Sequence, residues 1–177
     1  MLDALLLYAL MFFIIAASIG HTKSITDFLI KLGFKRQTDV LKDFSLAFAY
    51  LALFFVCSIT ISALFYYCGM SADVEKISKT LKAADVSQLI IILTIASFIE
   101  EFFFRGFLQR KTNILFASFV FAYFHIIYNS LSEVVGAFVL GLVLGKEYEQ
   151  TKSIFAPILS HFFYNLITIA LLFTTSA

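Results

Sequence analysis

Six long apolar segments constrain the fold of this chain more than any other feature. Each is close to the roughly 20 residues that an α-helix needs to cross about 30 Å of hydrocarbon. The chain of 177 residues is 61% hydrophobic and 14% charged, with a mean hydropathy of +0.94, which is far from the composition of a soluble domain. The segments comprise residues 2–20, 44–69, 87–107, 112–129, 132–148 and 153–173.

These segments predict membrane-spanning helices. Polar and apolar residues do not alternate over stretches of about ten residues, as they do in outer-membrane barrels. A helix satisfies its own backbone hydrogen bonds in lipid. We therefore predict an all-α fold: a polytopic membrane helix bundle with about six transmembrane helices. No linker rich in Gly, Ser or Pro divides the chain, so residues 1–177 are expected to form a single transmembrane domain.

The distribution of basic residues predicts the orientation of the bundle. Nine Lys and Arg residues follow the first, third and fifth segments, against three on the opposite side. Because basic loops are retained in the cytoplasm, we expect these loops to be cytoplasmic and both termini to lie outside. The nine residues are Lys23, Lys31, Lys35, Arg36, Lys42, Arg110, Lys111, Lys146 and Lys152, and the three are Lys76, Lys79 and Lys82.

Two stretches between the apolar segments are more polar. Residues 21–43 carry Ile25, Phe28 and Leu29 at a spacing typical of an amphipathic helix, which would lie on the cytoplasmic membrane face. A solvated loop with a short helix fits that stretch equally well. Residues 70–86 are expected to form a solvated external segment with a short helix. His21 is expected to be an interfacial residue.

Three ionisable groups lie inside the third apolar segment. The stretch "FIEEFFFRGF" contains Glu100, Glu101 and Arg105. The apolar character continues to Arg110, so both carboxylates lie about 15 Å inside that end of the helix. A charged group at the centre of a spanning helix costs about 2.5–3.5 kcal/mol even on the insertion scale. Glu101 and Arg105 are four positions apart and are predicted to pair, whereas Glu100 lies about 100° away around the helix.

Two other segments carry polar groups at a similar depth. The fourth repeats Phe121, His125 and Asn129 at four-residue intervals, and the sixth places His161 four residues before Asn165. Counted from the basic residues, the unpaired glutamate, both histidines and the sixth segment's asparagine lie roughly 13–21 Å deep. Two buried histidines on separate helices beside an unpaired glutamate favour a functional site. A structural salt-bridge cluster is the alternative.

The three motifs resemble those of a known family. "EEFFFR" (100–105), "FAYFH" (121–125) and "HFFYN" (161–165) match, in order, the EExxxR, FxxxH and HxxxN motifs of the CPBP intramembrane protease family. That family contains the type II CAAX prenyl endopeptidases and bacteriocin self-immunity proteins. The resemblance covers a catalytic core of about residues 86–173. It implies a hydrolase, an intramembrane endopeptidase acting on membrane-associated and potentially prenylated CAAX-type peptides or proteins.

The resemblance also implies roles for the motif residues. Glu100 would activate a water, with His125 helping to hold or deprotonate it. His161 and Asn165 would stabilise the tetrahedral oxyanion, while the second glutamate and its arginine would organise the site. The physical chemistry of these groups suits such roles, because a carboxylate can act as a general base and an amide can donate to an oxyanion.

The use of a metal stays open at this point. The family is often described as metalloproteases, and zinc bound by Glu100, His125 and His161 would leave one position for water. These residues lack the HExxH spacing that places two ligands on one helix face. We therefore favour a metal-free site in which the glutamate activates water directly, and no cofactor is certain.

Two other functions are compatible with the sequence. The chain could be a non-catalytic membrane binding or bacteriocin self-immunity protein that keeps the site for structural reasons. The third interpretation is a proton or metal-ion transporter, since buried Glu and His also form relays. The expected partners are a membrane-associated substrate and the lipid bilayer, and no nucleic acid. Under the protease interpretation, the cavity is expected to be reached from the cytoplasmic half.

Overall fold

The computed structural model describes residues 2–19, 24–34 and 40–174. These residues form eight α-helices, a π-helix and a 3-10 turn, and none of them lies in a strand. The predicted all-helical fold is therefore confirmed. The elements are α1 (Leu2–Ile19), α2 (Ile25–Lys31), α3 (Val40–Tyr67), α4 (Ser71–Lys82), α5 (Val86–Glu101), the π-helix (Phe102–Gln109), α6 (Ile114–Phe124), the 3-10 turn (His125–Tyr128), α7 (Leu131–Thr151) and α8 (Phe155–Thr174).

Three helical stretches are long and apolar enough to cross a membrane: Leu41–Tyr67, Val86–Gln109 and Phe155–Thr174. Two shorter apolar helices, Tyr8–Ala17 and Ile114–Tyr128, accompany them. Many large apolar side chains face outward, which suits contact with lipid better than contact with water. The chain is a helical membrane bundle, whereas the count of about six spans and their orientation stay predictions. Outward-facing examples are Phe12, Phe13, Val56, Ile59 and Phe119.

Four helices begin at a side-chain cap. At each of these positions a side-chain oxygen accepts the backbone N–H of the residue three positions later, at distances between 2.9 and 3.2 Å. Such caps satisfy N–H groups that have no partner within the helix. They therefore fix where α2, α5, α6 and α7 begin. The capping residues are Ser24, Asp85, Asn113 and Ser130.

The third predicted span changes its helix type at the glutamates. The α-helical part ends at Glu101, and a π-helix continues to Gln109. Segments of π-helix within α-helices occur frequently at functional sites. The sequence prediction assumed α-helical geometry throughout. Gly106 in the π-helix lets it contact the backbone of Leu32, because a Cβ at this position would overlap the Leu32 carbonyl oxygen.

The stretch predicted to be amphipathic, 21–43, is described over 24–34 and 40–43. Its helix α2 has no buried residue. The Arg110 guanidinium donates to the carbonyl oxygens of Ile30 (3.2 Å) and Lys31 (3.1 Å). This stretch therefore docks against the end of the bundle at which the π-helix stops. The predicted interfacial residue His21 and the basic residues Lys23, Lys35 and Arg36 lie outside the described residues.

Helices α6 and α7 pack against each other through glycines. A Cβ added at Gly141 would lie 3.1 Å from the Ser118 side chain and 3.3 Å from the Phe121 ring. At Gly145 an added Cβ would lie 2.6 Å from the Ile114 side chain. Small residues allow helix backbones to approach closely in a membrane bundle. This close approach brings α7 beside the motif helices.

The fourth predicted span ends earlier than its pattern indicated. Helix α6 stops at Phe124, and Asn129 has a left-handed backbone with φ 52°. Asn tolerates this conformation and commonly follows a helix end. Asn129 therefore does not extend the stripe formed by Phe121 and His125. Its carbonyl oxygen instead accepts a hydrogen bond from Lys76 Nζ at 2.6 Å.

Candidate active site

The two adjacent glutamates lie at the junction between α5 and the π-helix. Glu101 is fully buried, Arg105 is 1% exposed and Glu100 is 7% exposed. Burying a charge is costly unless the group is paired and hydrogen-bonded. The partners of these three groups therefore determine what the site can do.

Glu101 is the centre of a buried network. Its Oε1 atom accepts from Arg105 Nη1 at 3.1 Å and from His161 Nδ1 at 2.9 Å. The same guanidinium donates through Nη2 to the Gly141 carbonyl oxygen at 3.0 Å and lies 4.9 Å from the centre of the Phe121 ring. The predicted pairing of Glu101 with Arg105 is present. It ties the π-helix to α7 and α8.

Glu100 faces different partners from its neighbour. The Tyr8 hydroxyl of α1 donates to its Oε1 atom at 2.8 Å. Its Oε2 atom lies 3.8 Å from His161 Nε2, which is longer than a hydrogen bond. Because His161 Nδ1 donates to a carboxylate, Nε2 carries no proton in the neutral ring. Glu100 Oε2 and His161 Nε2 therefore form an open pair of acceptors that a water could bridge.

Asn165 lies one turn along α8 from His161. Its Nδ2 atom donates to the Ser97 hydroxyl at 3.0 Å, and Ser97 is fully buried in α5. The Ser97 hydroxyl itself donates to the Leu93 carbonyl oxygen at 2.8 Å. The amide of Asn165 is thus held near the glutamates by a chain of hydrogen bonds that begins on their own helix.

His125 stands slightly apart from this network. Its Nδ1 atom lies 2.8 Å from the Phe121 carbonyl oxygen. A carbonyl only accepts, so Nδ1 carries the proton and Nε2 is left with its lone pair in the neutral ring. The structure therefore gives His125 a fixed tautomer and a free basic nitrogen, without a direct contact to the glutamates.

A cavity of about 250 Å³ adjoins the site. Its wall includes His125, His161 and Asn165, together with apolar side chains of α3, α7 and α8. Of the described residues, Glu100 is not part of this wall and lies beyond the imidazole of His161. The cavity wall thus brings together three of the predicted site residues, and Glu100 lies 3.8 Å from one of them, His161.

The position of the cavity bears on two expectations. It extends to Val74, Ile77 and Leu81 of α4, so this helix is part of the cavity wall and not simply a solvated segment. The cavity extends towards the end of the bundle opposite Arg110, and entry from the cytoplasmic half stays a prediction. The sequence pattern located the polar groups along each helix but not the space between them.

Helix α4 is held over the cavity by Asp73. Its carboxylate accepts from the backbone N–H groups of Ser132 (2.7 Å) and Leu131 (3.1 Å) and from the Ser130 hydroxyl (3.0 Å). These bonds, led by that from the Ser132 backbone, lower the pKa of Asp73 to about 2. The Asp73 carboxylate therefore connects α4 to the start of α7 while it is ionised.

Sequence reasoning missed two residues at this site. Tyr8 contacts Glu100 across 92 positions, and no local spacing signals such a contact. Glu133 of α7 lines the cavity. It stands in the sequence "SLSE", a pattern typical of a helix start, which carries no signal for a site residue.

The zinc set considered from the sequence was Glu100, His125 and His161. The described residues contain no group of three or more His, Cys, Asp or Glu side chains arranged to hold a metal ion. His161 uses one ring nitrogen on Glu101, and His125 uses one on a backbone carbonyl. The described side chains therefore do not form a three-ligand group as they stand. Each ring keeps Nε2 available, and Nδ1 on a carboxylate or carbonyl is usual for a zinc-binding histidine, so the preference for a metal-free site stays a prediction.

A helical membrane bundle with a buried Glu–Arg–His network beside a cavity is the class that the fold and site define. Residues 82–167, which contain all three motifs, match the family described as Type II CAAX prenyl endopeptidase Rce1-like. The family resemblance predicted from the motifs is confirmed. Over these residues the chain is similar to a family described as prenyl endopeptidases.

A curated relative matches half of the chain. Over 92 residues the chain is 32% identical to a protein of Bacillus subtilis (strain 168) named Uncharacterized protein YpbD. The match covers 50% of this chain and 48% of that protein, so it spans about half the length of the relative. No solved structure matches the chain.

Proposed function

We propose that the chain is an intramembrane endopeptidase that hydrolyses a peptide bond of a membrane-associated substrate with a water activated by Glu100. One observation carries the proposal: Glu100 Oε2 and His161 Nε2 face each other 3.8 Å apart in a buried site. The match to the prenyl endopeptidase family supports the same function independently.

The attacking water would lie beside these two atoms. A water about 2.8 Å from both can occupy a position off the line that joins them. Glu100, helped by His125, removes a proton as the water oxygen attacks the carbonyl carbon. The proton then passes to the amide nitrogen as the C–N bond breaks, which leaves a carboxylic acid and an amine.

The remaining motif residues would act on the developing charge and on geometry. The Asn165 amide lies on the cavity wall, where it can donate to an oxyanion once its bond to Ser97 rearranges. The His161 ring can donate there when Nε2 carries a proton, with Nδ1 still on Glu101. Arg105 and Glu101 hold His161 from the side away from the cavity. We therefore assign positioning roles to this ion pair.

The substrate we propose is an extended peptide next to an apolar group, including a prenylated CAAX-type terminus. The cavity wall combines hydroxyls and imidazoles with apolar side chains. An apolar membrane anchor can contact the latter while the peptide bond lies beside the polar groups. The masses of the cleavage products would identify the peptide bond that is cleaved.

The test uses the full chain in liposomes and a fluorescence-quenched peptide with a farnesylated CAAX terminus. The isosteric variant Glu100→Gln removes the base, and we expect its cleavage rate to fall by about a hundredfold or more. Glu75→Gln changes an exposed carboxylate on α4 and should cleave at the wild-type rate. Full activity of Glu100→Gln would show that Glu100 is not the general base.

Membrane peptide binding without cleavage is the second candidate, favoured by the absence of Glu100 from the described cavity wall. It predicts that wild type and Glu100→Gln bind the same peptide with equal affinity and that neither releases product. Fluorescence anisotropy of the peptide in the same liposomes, followed by mass analysis of the products, separates binding from proteolysis.

A further inference from the structure

A second cavity of about 610 Å³ lies beside the one that adjoins the site. Its volume is within the range of about 300–1,000 Å³ that is typical of small-molecule sites. Part of it is a groove between α3 and α8, which we call the α3–α8 groove. Helix α3 contributes Phe55, Ile59 and Ala63 to this groove, and α8 contributes Tyr164, Thr168 and Leu171.

The α3–α8 groove is open to the lipid. Both of its helices belong to the stretches that are long and apolar enough to cross a membrane. Ile59 and Leu171 on its rim are large apolar side chains that are exposed on the surface of the bundle. Exposed apolar surface of this kind marks contact with a membrane. A hydrocarbon chain can therefore enter the groove sideways from the bilayer.

The groove and the site cavity share part of their walls. The Ser58 and Tyr164 hydroxyls form a hydrogen bond of 2.6 Å at this boundary, and the Tyr164 ring packs against Phe55 with 5.2 Å between ring centres. Tyr164 is followed by Asn165, which lines the site cavity together with His161. A chain in the groove thus ends beside two motif residues. The shared wall residues are Ser58, Ser62, Val74, Tyr164 and Thr168.

A second apolar groove on the bundle provides an internal comparison. It lies between α1 and α5 and has a volume of about 280 Å³. Within the described part of the chain, none of its wall residues lines the site cavity. Continuity with the site cavity therefore distinguishes the α3–α8 groove from this α1–α5 groove. The α1–α5 groove is lined by Tyr8, Ala9, Phe12, Ile92, Ile95 and Ile99.

We propose that the α3–α8 groove binds the hydrocarbon chain of a lipidated peptide substrate, and that this binding places the peptide beside His161 and Asn165. The inference rests on the proposed function and locates the membrane anchor of its substrate. The apolar side chains of the groove contact the chain, while the hydroxyls at the boundary offer hydrogen bonds to the peptide. Tyr164 lies where the chain and the peptide meet.

The first test needs no cleavage. A farnesylated peptide with a diazirine at the far end of the farnesyl chain is bound to the full chain, carrying Glu100→Gln, in liposomes and is then irradiated. We expect mass analysis to find the label on Ile59, Ala63 or Leu171. Excess unlabelled farnesylated peptide should suppress this labelling, whereas the same peptide without the farnesyl chain should not.

Two results of this experiment overturn the proposal. Labelling of the α3–α8 groove that excess farnesylated peptide does not suppress would mean that bilayer lipid occupies it. Labelling of Ile92 or Ile95 in place of the α3 and α8 residues would mean that the chain binds in the α1–α5 groove.

Matched variants fill one groove at a time. Ala63 and Ala9 are both exposed, and each lines one of the two grooves. We expect Ala63→Phe to reduce the labelling on α3 and α8 by about tenfold, as the loss of contact with about two CH₂ groups would. Ala9→Phe should label as the parent protein does. Equal thermal unfolding of the two variants shows that the bundle is intact, and equal labelling of the two overturns the proposal.

The cleavage assay, with Glu100 restored, then tests the role in hydrolysis. We expect Ala63→Phe to raise KM for the farnesylated peptide by about tenfold and to leave cleavage of the peptide without a farnesyl chain unchanged. The same loss for both peptides would mean that the groove does not act through the hydrocarbon chain. If the wild type cleaves nothing while the labelling result holds, proteolysis fails and the anchor site stands. If it cleaves the farnesylated peptide while the groove stays unlabelled, the anchor site fails and proteolysis stands.

Discussion

The membrane core and the α4 region each contain an ion pair between residues four positions apart, in opposite surroundings. Glu101 and Arg105 are 0% and 1% exposed, and Glu101 also holds a histidine. Glu75 and Lys79 approach to 2.8 Å, but their side chains are 58% and 74% exposed. The same spacing thus forms a structural centre in one region and a solvated surface pair in the other.

The difference shows that burial decides what an ion pair does. An exposed pair is screened by water and contributes little to stability. A buried pair is costly to form, and it is more costly to break because one charge is left without a partner. The core pair therefore constrains the positions of three elements, whereas the α4 pair constrains only one turn of helix.

Removing the arginine is the strongest way to sharpen this comparison. In Arg105→Ala, Glu101 stays fully buried without its cation, and the bond to Gly141 is lost. We expect the free energy of unfolding to fall by about 3–5 kcal/mol and cleavage to be lost. Thermal and denaturant unfolding in detergent measure the change.

The matched control is Lys79→Ala, which removes the exposed partner at the same spacing. Its unfolding curve should coincide with that of the wild type. If the two variants unfold alike, the distinction between the core pair and the surface pair is wrong.

The second largest effect we expect concerns Tyr8, the hydrogen-bond partner of Glu100. Tyr8→Phe removes the hydroxyl that fixes Glu100 Oε1, so the carboxylate can rotate away from His161. We expect a loss of about 0.5–1.5 kcal/mol in unfolding free energy and a fall in kcat of about tenfold with little change in KM.

The cleavage assay in liposomes measures this effect, and Tyr66→Phe serves as the control because Tyr66 is exposed on α3. A kcat for Tyr8→Phe equal to that of the control would show that the Tyr8 hydroxyl does not position the glutamate.

The two regions also differ in how far the sequence predicts them. The pairing of Glu101 with Arg105 is local, so helical spacing was sufficient to predict it. The contact of Tyr8 with Glu100 joins residues 92 positions apart, and the change to π-helix after Glu101 has no composition signal. The depth of each histidine followed from counting residues, but its orientation depends on packing between helices.

Helix α4 also shows that the sequence predicts local structure better than contacts between helices. Its mixture of charged and apolar residues predicted a short external helix, and the helix is present. Its contact with the cavity was not predicted, because the apolar face of Val74, Ile77 and Leu81 could equally face a membrane surface. The contacts of Asp73 with α7 determine which of these occurs.

The smallest effect we expect is the release of α4 by protonation of Asp73. Hydrogen bonds from the Ser132 backbone and its neighbours hold the pKa of Asp73 at about 2, below its ordinary value. Stabilisation by a carboxylate with a lowered pKa is complete above about pH 4 and is lost as the pH falls through about 2. In the wild type, α4 should therefore stay in place from neutral pH down to about pH 4.

A nitroxide attached through Ser78→Cys, in a Cys57→Ala and Cys68→Ala background, reports the mobility of α4 beside the cavity. With Asp73 intact, the label should become mobile only as the pH falls from about 4 towards 2. With Asp73→Asn it should already be mobile at neutral pH and change less over the acidic range. Glu75→Gln, on the exposed face of α4, should keep the wild-type profile. An immobile label in Asp73→Asn at neutral pH would mean that the apolar face alone holds α4. The hydrogen bonds of Asp73 would then contribute as little as the exposed Glu75–Lys79 pair.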